Sequence, residues 1–345
     1  MRRVADSLRD RYCRVWTAAF VALACLASPL DGARAQAQHT MKIAAVTVRD
    51  PVHMVMDEFK RRIEQRSGGR IEARVYPASQ LGDISRLLEG LQLGTIESVV
   101  SAAGFYQVMH PAFQVGDAPG LFRDMHHAHR VMTDPGFRER FLALAEPKGV
   151  MGVTVWVYGP THYASVSPIR SLAEFKGKKI RIFATKIERE VASKLGGTAI
   201  PVPLAEALQA LQNRVVDVSR STILVFAGLK YHTVAKYVIA LDDAVIPGVV
   251  ALSKQFHAKL PGDLAKAVLD VGREMDEWAY KTSAAADEGA EKLWRENGGE
   301  VIRMPPADQA ELRRRLAPIG DEVLGANQDT REIWQLLQQT AAKYK

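Results

Sequence analysis

The sequence predicts an α/β protein of two hinged lobes, with a long connecting helix and a helical C-terminus. Three observations carry this reading. Strand-like and helix-like hydrophobic patterns alternate from residue 41 to residue 100, and the alternation restarts at Thr161. Gly159-Pro160 and Pro247-Gly248 interrupt apolar strands, and mark where the chain would cross between halves. After Pro261 the pattern is almost wholly helical. Repeated βαβ units imply parallel strands covered on both faces. A cleft between two such lobes holds a ligand and closes around it.

Each element has its own justification. Residues 41–48 are a mainly apolar run, a candidate buried strand of parallel type. Val52, Val55, Met56, Phe59 and Ile63 recur at helical spacing until Ser67-Gly68-Gly69 stops them. Ile71, Ala73 and Val75 alternate as a second strand; Ile84, Leu87, Leu88 and Leu91 form a second helix; residues 95–100 form a third strand. Residues 111–122 read as irregular, 126–144 as one helix and 150–158 as a strand. Beyond Gly159-Pro160 come strands at 161–166 and 179–183, helices around 187–195 and 204–211, and strands at 215–218 and 237–241. Leu264, Ala267, Val268, Val271, Met275 and Trp278, extended by Leu293 and Trp294, make a stripe longer than an ordinary helix. Two more helices follow at 309–324 and 331–344. The expected division is a signal peptide at 1–35, lobe I at 36–158 plus 247–286, and lobe II at 159–246 plus 287–345.

The N-terminal segment reads as a targeting signal. Arg2, Arg3, Arg9, Arg11 and Arg14 precede an apolar stretch at 15–30, which is followed by Ala33-Arg34-Ala35 as a cleavage site. That stretch is short of the roughly 20 residues a membrane span needs, so export to a periplasm is expected. Ala22-Leu23-Ala24-Cys25 offers a poorer, lipoprotein-type alternative. Cys13 and Cys25 both lie in this segment, so the mature chain would have no disulfide framework, thiol nucleophile or cysteine metal site. The whole chain of 345 residues carries a formal net charge of +7. Residues 1–35 hold six arginines and three acids, and without them the balance is +4. That suits an anionic ligand without arguing for nucleic acid.

The richest stretch for chemistry is 175–221. Ile180 and Ile182 point one way on a short strand, and Arg181 and Phe183 the other. A guanidinium placed there either takes a ligand carboxylate in a two-pronged pair, pairs with a structural acid, or reaches water. Arg220 faces the same choice between pocket and surface. Phe105 and Tyr106 follow the third strand, at the carboxyl end of a parallel unit where ligands bind; each reads as a stacking platform or as core. Trp156 and Tyr158 face the expected cleft or pack the hinge. Phe183 walls the pocket beside Arg181. His53 sits at a helix start, where it bonds an anion or caps the turn. Asp217 is expected to orient backbone or an arginine. His126, His127 and His129 lack the spacing of a zinc helix and read as a solvated helix start. No nucleophile–base motif, Walker loop or metalloprotease signature is present, so no catalytic residue, metal or cofactor is expected.

Four blocks in order resemble the substrate-binding proteins of tripartite ATP-independent periplasmic (TRAP) transporters, the DctP family. They are Tyr76-Pro77-Ala78-Ser79-Gln80-Leu81-Gly82 followed by Leu91-Gln92-Leu93-Gly94-Thr95-Ile96-Glu97; Pro119-Gly120-Leu121-Phe122-Arg123-Asp124 with His127-Ala128; Phe175-Lys176-Gly177-Lys178-Lys179-Ile180-Arg181; and residues 207–212 followed by Val216-Asp217. The resemblance runs from about residue 40 to the end. It implies a two-lobe periplasmic binding protein of type II-like, hinged form. Such a receptor captures an organic acid anion for a permease of one small and one large membrane subunit, driven by an ion gradient. The family's carboxylate-pairing arginine falls on Arg181. A second arginine common in relatives is Thr161 here, the asparagine that often touches ligand is Ser221, and an aromatic residue common near Leu204 is replaced by aliphatic ones. This reduced polar set suits a smaller or more apolar acid than a sugar acid. An exported hydrolase-like enzyme and a ligand-binding sensory module on the same scaffold are the alternatives. A homodimer is left open, since some relatives pair through a swapped long helix.

Overall fold

The computed structural model describes residues 38–183 and 185–344; the expected signal peptide lies outside them. One nine-stranded mixed sheet runs through the molecule. Its first part is the expected βαβαβ unit: β1 (His39–Ala44), α1 (Pro51–Arg66), β2 (Ile71–Tyr76), α2 (Ile84–Leu93) and β3 (Ser98–Ala102), with β1 parallel to both β2 and β3. Asp50 and Asp83 cap α1 and α2, each accepting a hydrogen bond from the N–H three residues on. Gly94 ends α2 in the left-handed conformation that glycine adopts without strain.

Two tight turns (Ala103–Val108 and Pro111–Asp117) lead to α3 (Met125–Met132) and α4 (Pro135–Leu142). A single helix over 126–144 was expected. Asp134 instead caps a new helix with Pro135 in its first turn, since proline fits a helix start and breaks an interior.

The two crossings also differ from expectation. Residues 150–165 form one strand, β4 (Val150–Ser165), and residues 237–253 form another, β8 (Tyr237–Ser253), antiparallel along their whole length. Neither proline ends its strand, because the register shifts around it. Val157 pairs with Pro247, Pro160 with Val245, and then His162 with Ala240. Bulges of this kind accept a proline that the regular ladder would not. At the last shift residues 241–244 loop outward against Thr161 alone, and Asp242 takes a left-handed φ of 49°.

The sheet continues with β5 (Lys179–Ile182), α5 (Lys186–Lys194), β6 (Thr198–Pro201), α6 (Leu204–Gln212), β7 (Val218–Ser221) and α7 (Ile223–Gly228). Strand order is β2-β1-β3-β8-β4-β7-β5-β6. β5 is parallel to β6 and β7, but β3–β8, β4–β8 and β4–β7 are antiparallel, so the sheet is mixed and not wholly parallel.

After α8 (Lys254–Lys259) comes α9 (Gly262–Glu296), a helix of 35 residues and about 50 Å at 1.5 Å per residue. It lies on β4. Asp276 accepts from the Val155 N–H at 2.9 Å, Thr154 Oγ1 donates to the Gly272 carbonyl at 2.9 Å, and Trp156 Nε1 donates to Ser283 Oγ at 3.1 Å. β9 (Glu300–Arg303) adds parallel to β8, and α10 (Pro306–Leu316) precedes α11 (Gln328–Lys343). α11 packs on the 111–117 turn, α3 and α4, where the Tyr344 hydroxyl meets Asp134 at 2.8 Å.

Candidate functional site

Arg181 is 1% exposed, yet no carboxylate lies within ion-pairing distance of it among the described residues. Three contacts fix it. Its Nε donates to the Val202 carbonyl at 2.9 Å, its Nη1 lies 3.5 Å from the Arg220 carbonyl, and its guanidinium carbon sits 4.6 Å from the centre of the Phe183 ring. Burial holds its pKa below the ordinary arginine value, against the favourable fields of Tyr231 and Glu188. The group stays charged nevertheless. A desolvated charge of this kind costs several kcal/mol unless an anion joins it.

Arg181 lines a cavity of about 450 Å³. Phe105, Phe183, Val202, Leu204, Ile84 and Leu88 belong to its apolar wall. Phe105 meets Phe183 edge-on at 4.8 Å, which fixes both rings. Asp83 and Glu89 stand exposed at the cavity's edge on α2. Val46, Phe105, Phe183 and Leu204 also line a second, inner chamber of about 20 Å³, whose polar groups include Thr47, Tyr158 and Ser221.

The structure therefore brings Arg181, Phe183, Phe105 and Leu204 together in the main cavity, and Tyr158 and Ser221 into the inner chamber. Tyr158 is already engaged, donating to Asp50 Oδ2 at 2.5 Å. Four other candidates lie elsewhere. Arg220 is 1% exposed, but Glu188 at 2.5 Å and Asp243 at 3.3 Å hold its two terminal nitrogens, and Nε donates to Tyr163 Oη at 3.2 Å. It faces away because it precedes Ser221 by one residue on β7, and strand side chains alternate. Trp156 points at α9 and packs on Gly248, its cross-strand neighbour. The Tyr106 hydroxyl donates to the Val99 carbonyl at 3.0 Å, and its ring meets Phe113 in the core. His53 Nδ1 accepts from the Arg49 N–H at 3.3 Å, capping the turn outside the cavity.

A buried ionic network backs the site. Glu188 accepts from the Phe183 N–H at 2.7 Å as well as from Arg220, so it is unavailable to Arg181. Thr161 Oγ1 donates to Asp243 at 2.7 Å. The Asp117 carboxyl is pushed up to about 8, by burial first and then by the nearby Glu188 charge, against the pull of Arg220. Asp217 accepts from the Lys179 N–H at 2.9 Å and lies outside both chambers. Of the α3 histidines, His126 is exposed at the helix start as expected, but His127 and His129 are buried, and His129 stacks on Tyr280 at 4.1 Å. No cluster of metal-ligating side chains occurs among the described residues.

The sequence reading passed over Thr47. It lies just beyond β1, at the carboxyl end of a parallel strand, and that position was the available clue.

Residues 44–326 match the profile of the bacterial extracellular solute-binding protein family 7, DctP. The chain belongs to this family. The C4-dicarboxylate-binding periplasmic protein DctP of Rhodobacter capsulatus is 27% identical over 268 residues, covering 77% of this chain and 80% of that protein. The 2,3-diketo-L-gulonate-binding periplasmic protein YiaO of Escherichia coli is 26% identical over 254 residues, covering 73% and 77%. A TRAP periplasmic solute-binding protein of Desulfovibrio salexigens, crystallised with orotic acid, superposes with a TM-score of 0.83 at 25% identity, covering 89% of this chain and 99% of that one. The chain shares the mixed α/β sheet, long helix and helical C-terminus of that structure, the fold class expected from the sequence. No described helix is long and apolar enough to cross a membrane.

Proposed function

We propose that this family 7 protein is the periplasmic receptor of a TRAP transporter, and that Arg181 captures the carboxylate of an organic acid monoanion. The observation that carries the reading is a buried guanidinium without an acid partner, lining a cavity of about 450 Å³. A two-pronged carboxylate pair satisfies that group as a neutral partner would not. One cation facing two acids at the cavity's edge favours one negative charge on the ligand over two. The largely apolar wall around Phe105, Phe183, Val202 and Leu204 favours a hydrocarbon body beside the guanidinium over a polyol. The lobes are assigned as 36–158 with 247–286, and 159–246 with 287–345. The paired register shifts of β4 and β8 near Gly159 support a hinge there. Closure traps the acid, and the closed form is handed to the small and large membrane subunits without chemical change.

The test is a thermal-shift screen of the mature chain against monocarboxylates, C4-dicarboxylates and sugar acids, repeated with Arg181→Ala. Ligand at 100 times its dissociation constant adds about 2.7 kcal/mol of stability. A monocarboxylate hit that disappears in Arg181→Ala is expected. A sugar acid binding more tightly than every monocarboxylate, or a hit indifferent to the mutation, overturns the reading.

A further inference from the structure

The inner chamber carries a detail that carboxylate capture leaves unused. Thr47 is 6% exposed and Ser221 0%, and neither Thr47 Oγ1 nor Ser221 Oγ has a hydrogen-bond partner among the described residues. The Asp50 carboxyl lies near Thr47, but no hydrogen bond in good geometry joins them. Buried hydroxyls without partners are uncommon, and each is costly. These two line the same chamber. That chamber, of about 20 Å³, has room for little more than one water-sized group. It adjoins the guanidinium, because Arg181 Nη1 lies 3.5 Å from the carbonyl of Arg220, the residue bonded to Ser221. Phe105 and Phe183 line both spaces, so a small polar group can enter the chamber while an apolar body stays in the main cavity.

Building on capture by Arg181, we infer that Thr47 and Ser221 form a specificity pocket for one oxygen on the carbon next to the carboxylate, so that the ligand is a 2-oxo or 2-hydroxy acid with an apolar side chain. A hydroxyl donates and accepts, so the pair serves either a carbonyl or an alcohol. A site built to hydrogen-bond an oxygen rejects the analogue lacking it, because its own polar groups are then left unpaired. A polyol does not fit a chamber of this size, and a second carboxylate finds no second cation.

Calorimetric titration with 4-methyl-2-oxopentanoate, 2-hydroxy-4-methylpentanoate and 4-methylpentanoate tests the inference. The first or second should bind the wild type at least about 10-fold more tightly than the third. The preference should fall towards parity in Thr47→Val and in Ser221→Ala, two independent variants that alter little volume. Equal binding of the three acids to the wild type overturns the inference. So does a preference unmoved by both variants, which would make the hydroxyls partners of a structural water or of Asp50 only. Failure of all three to bind also overturns it. Arg181→Met separates the two readings: equal wild-type binding that is lost in Arg181→Met removes only the 2-oxygen, whereas binding that persists in Arg181→Met removes carboxylate capture itself.

Discussion

Two arginines 39 residues apart, on neighbouring strands, have the same burial and opposite roles. Arg220 is held by Glu188, Asp243 and Tyr163, whereas Arg181 has two carbonyls and a ring face. Their substitutions should therefore differ in sign. Arg220→Met leaves two buried carboxylates without their cation and is expected to cost about 3–5 kcal/mol of stability. Arg181→Met removes a desolvated, unpaired charge and should leave the ligand-free protein as stable as the wild type or more so, since binding groups are often held at a cost to stability. Urea unfolding of both variants without ligand checks this; a large destabilisation by Arg181→Met would make it a structural residue. Arg181 was picked out by the family resemblance, because strand alternation alone left it open to a ligand, a structural acid or water. The environment of Arg220 was not legible in the sequence, because its partners lie 23 to 57 residues away and meet it only in the fold. Thr47 had only its position beyond β1 to mark it, since a threonine after a strand carries no local sign of burial.

β4 and β8 link the β1–β3 and β5–β7 parts of the sheet. Gly159-Pro160 and Pro247-Gly248 look like strand ends in sequence, and the structure instead absorbs both prolines in register shifts of one continuous pair. Hydrophobic period alone does not reveal a bulge, which depends on the partner strand. The first βαβαβ unit was legible because its helices and strands alternate with clear caps and stops, whereas β6, α7 and β9 were missed as runs of only four to six residues. Gly248 has a packing role within this pair. A Cβ there would come within 2.4 Å of the Trp156 ring, which is locked between β8 and α9 by its bond to Ser283. Gly248→Ala is expected to cost about 1–3 kcal/mol through overpacking, read as a lower urea midpoint with an unchanged slope. An unchanged midpoint would mean that Trp156 can shift freely.

Across the whole molecule, the buried acids make stability depend on pH. With its carboxyl raised from 3.8 to about 8, Asp117 holds a proton in the folded state that the unfolded chain has already released. Its contribution is complete below about pH 4 and declines as pH rises towards 8. Asp117→Asn keeps the uncharged shape and should flatten that decline, so its stability relative to wild type is higher at pH 9 than at pH 5. Equilibrium unfolding at the two pH values measures the difference, and parallel profiles would place the Asp117 proton elsewhere. The same network lies between β4, β7, β8 and α5, so it stiffens the region behind the cavity while the cavity keeps a single cation facing it.

In the proposed site one guanidinium recognises one carboxylate. The most direct measurement is a calorimetric titration of the wild type and of Arg181→Met with the best-binding acid and with its uncharged methyl ester. The acid should bind the wild type at least about 30-fold more tightly than the ester, in keeping with the 2–5 kcal/mol of a buried charge pair, and Arg181→Met should abolish that preference. Equal binding of acid and ester by the wild type, or a preference that survives in Arg181→Met, would contradict it.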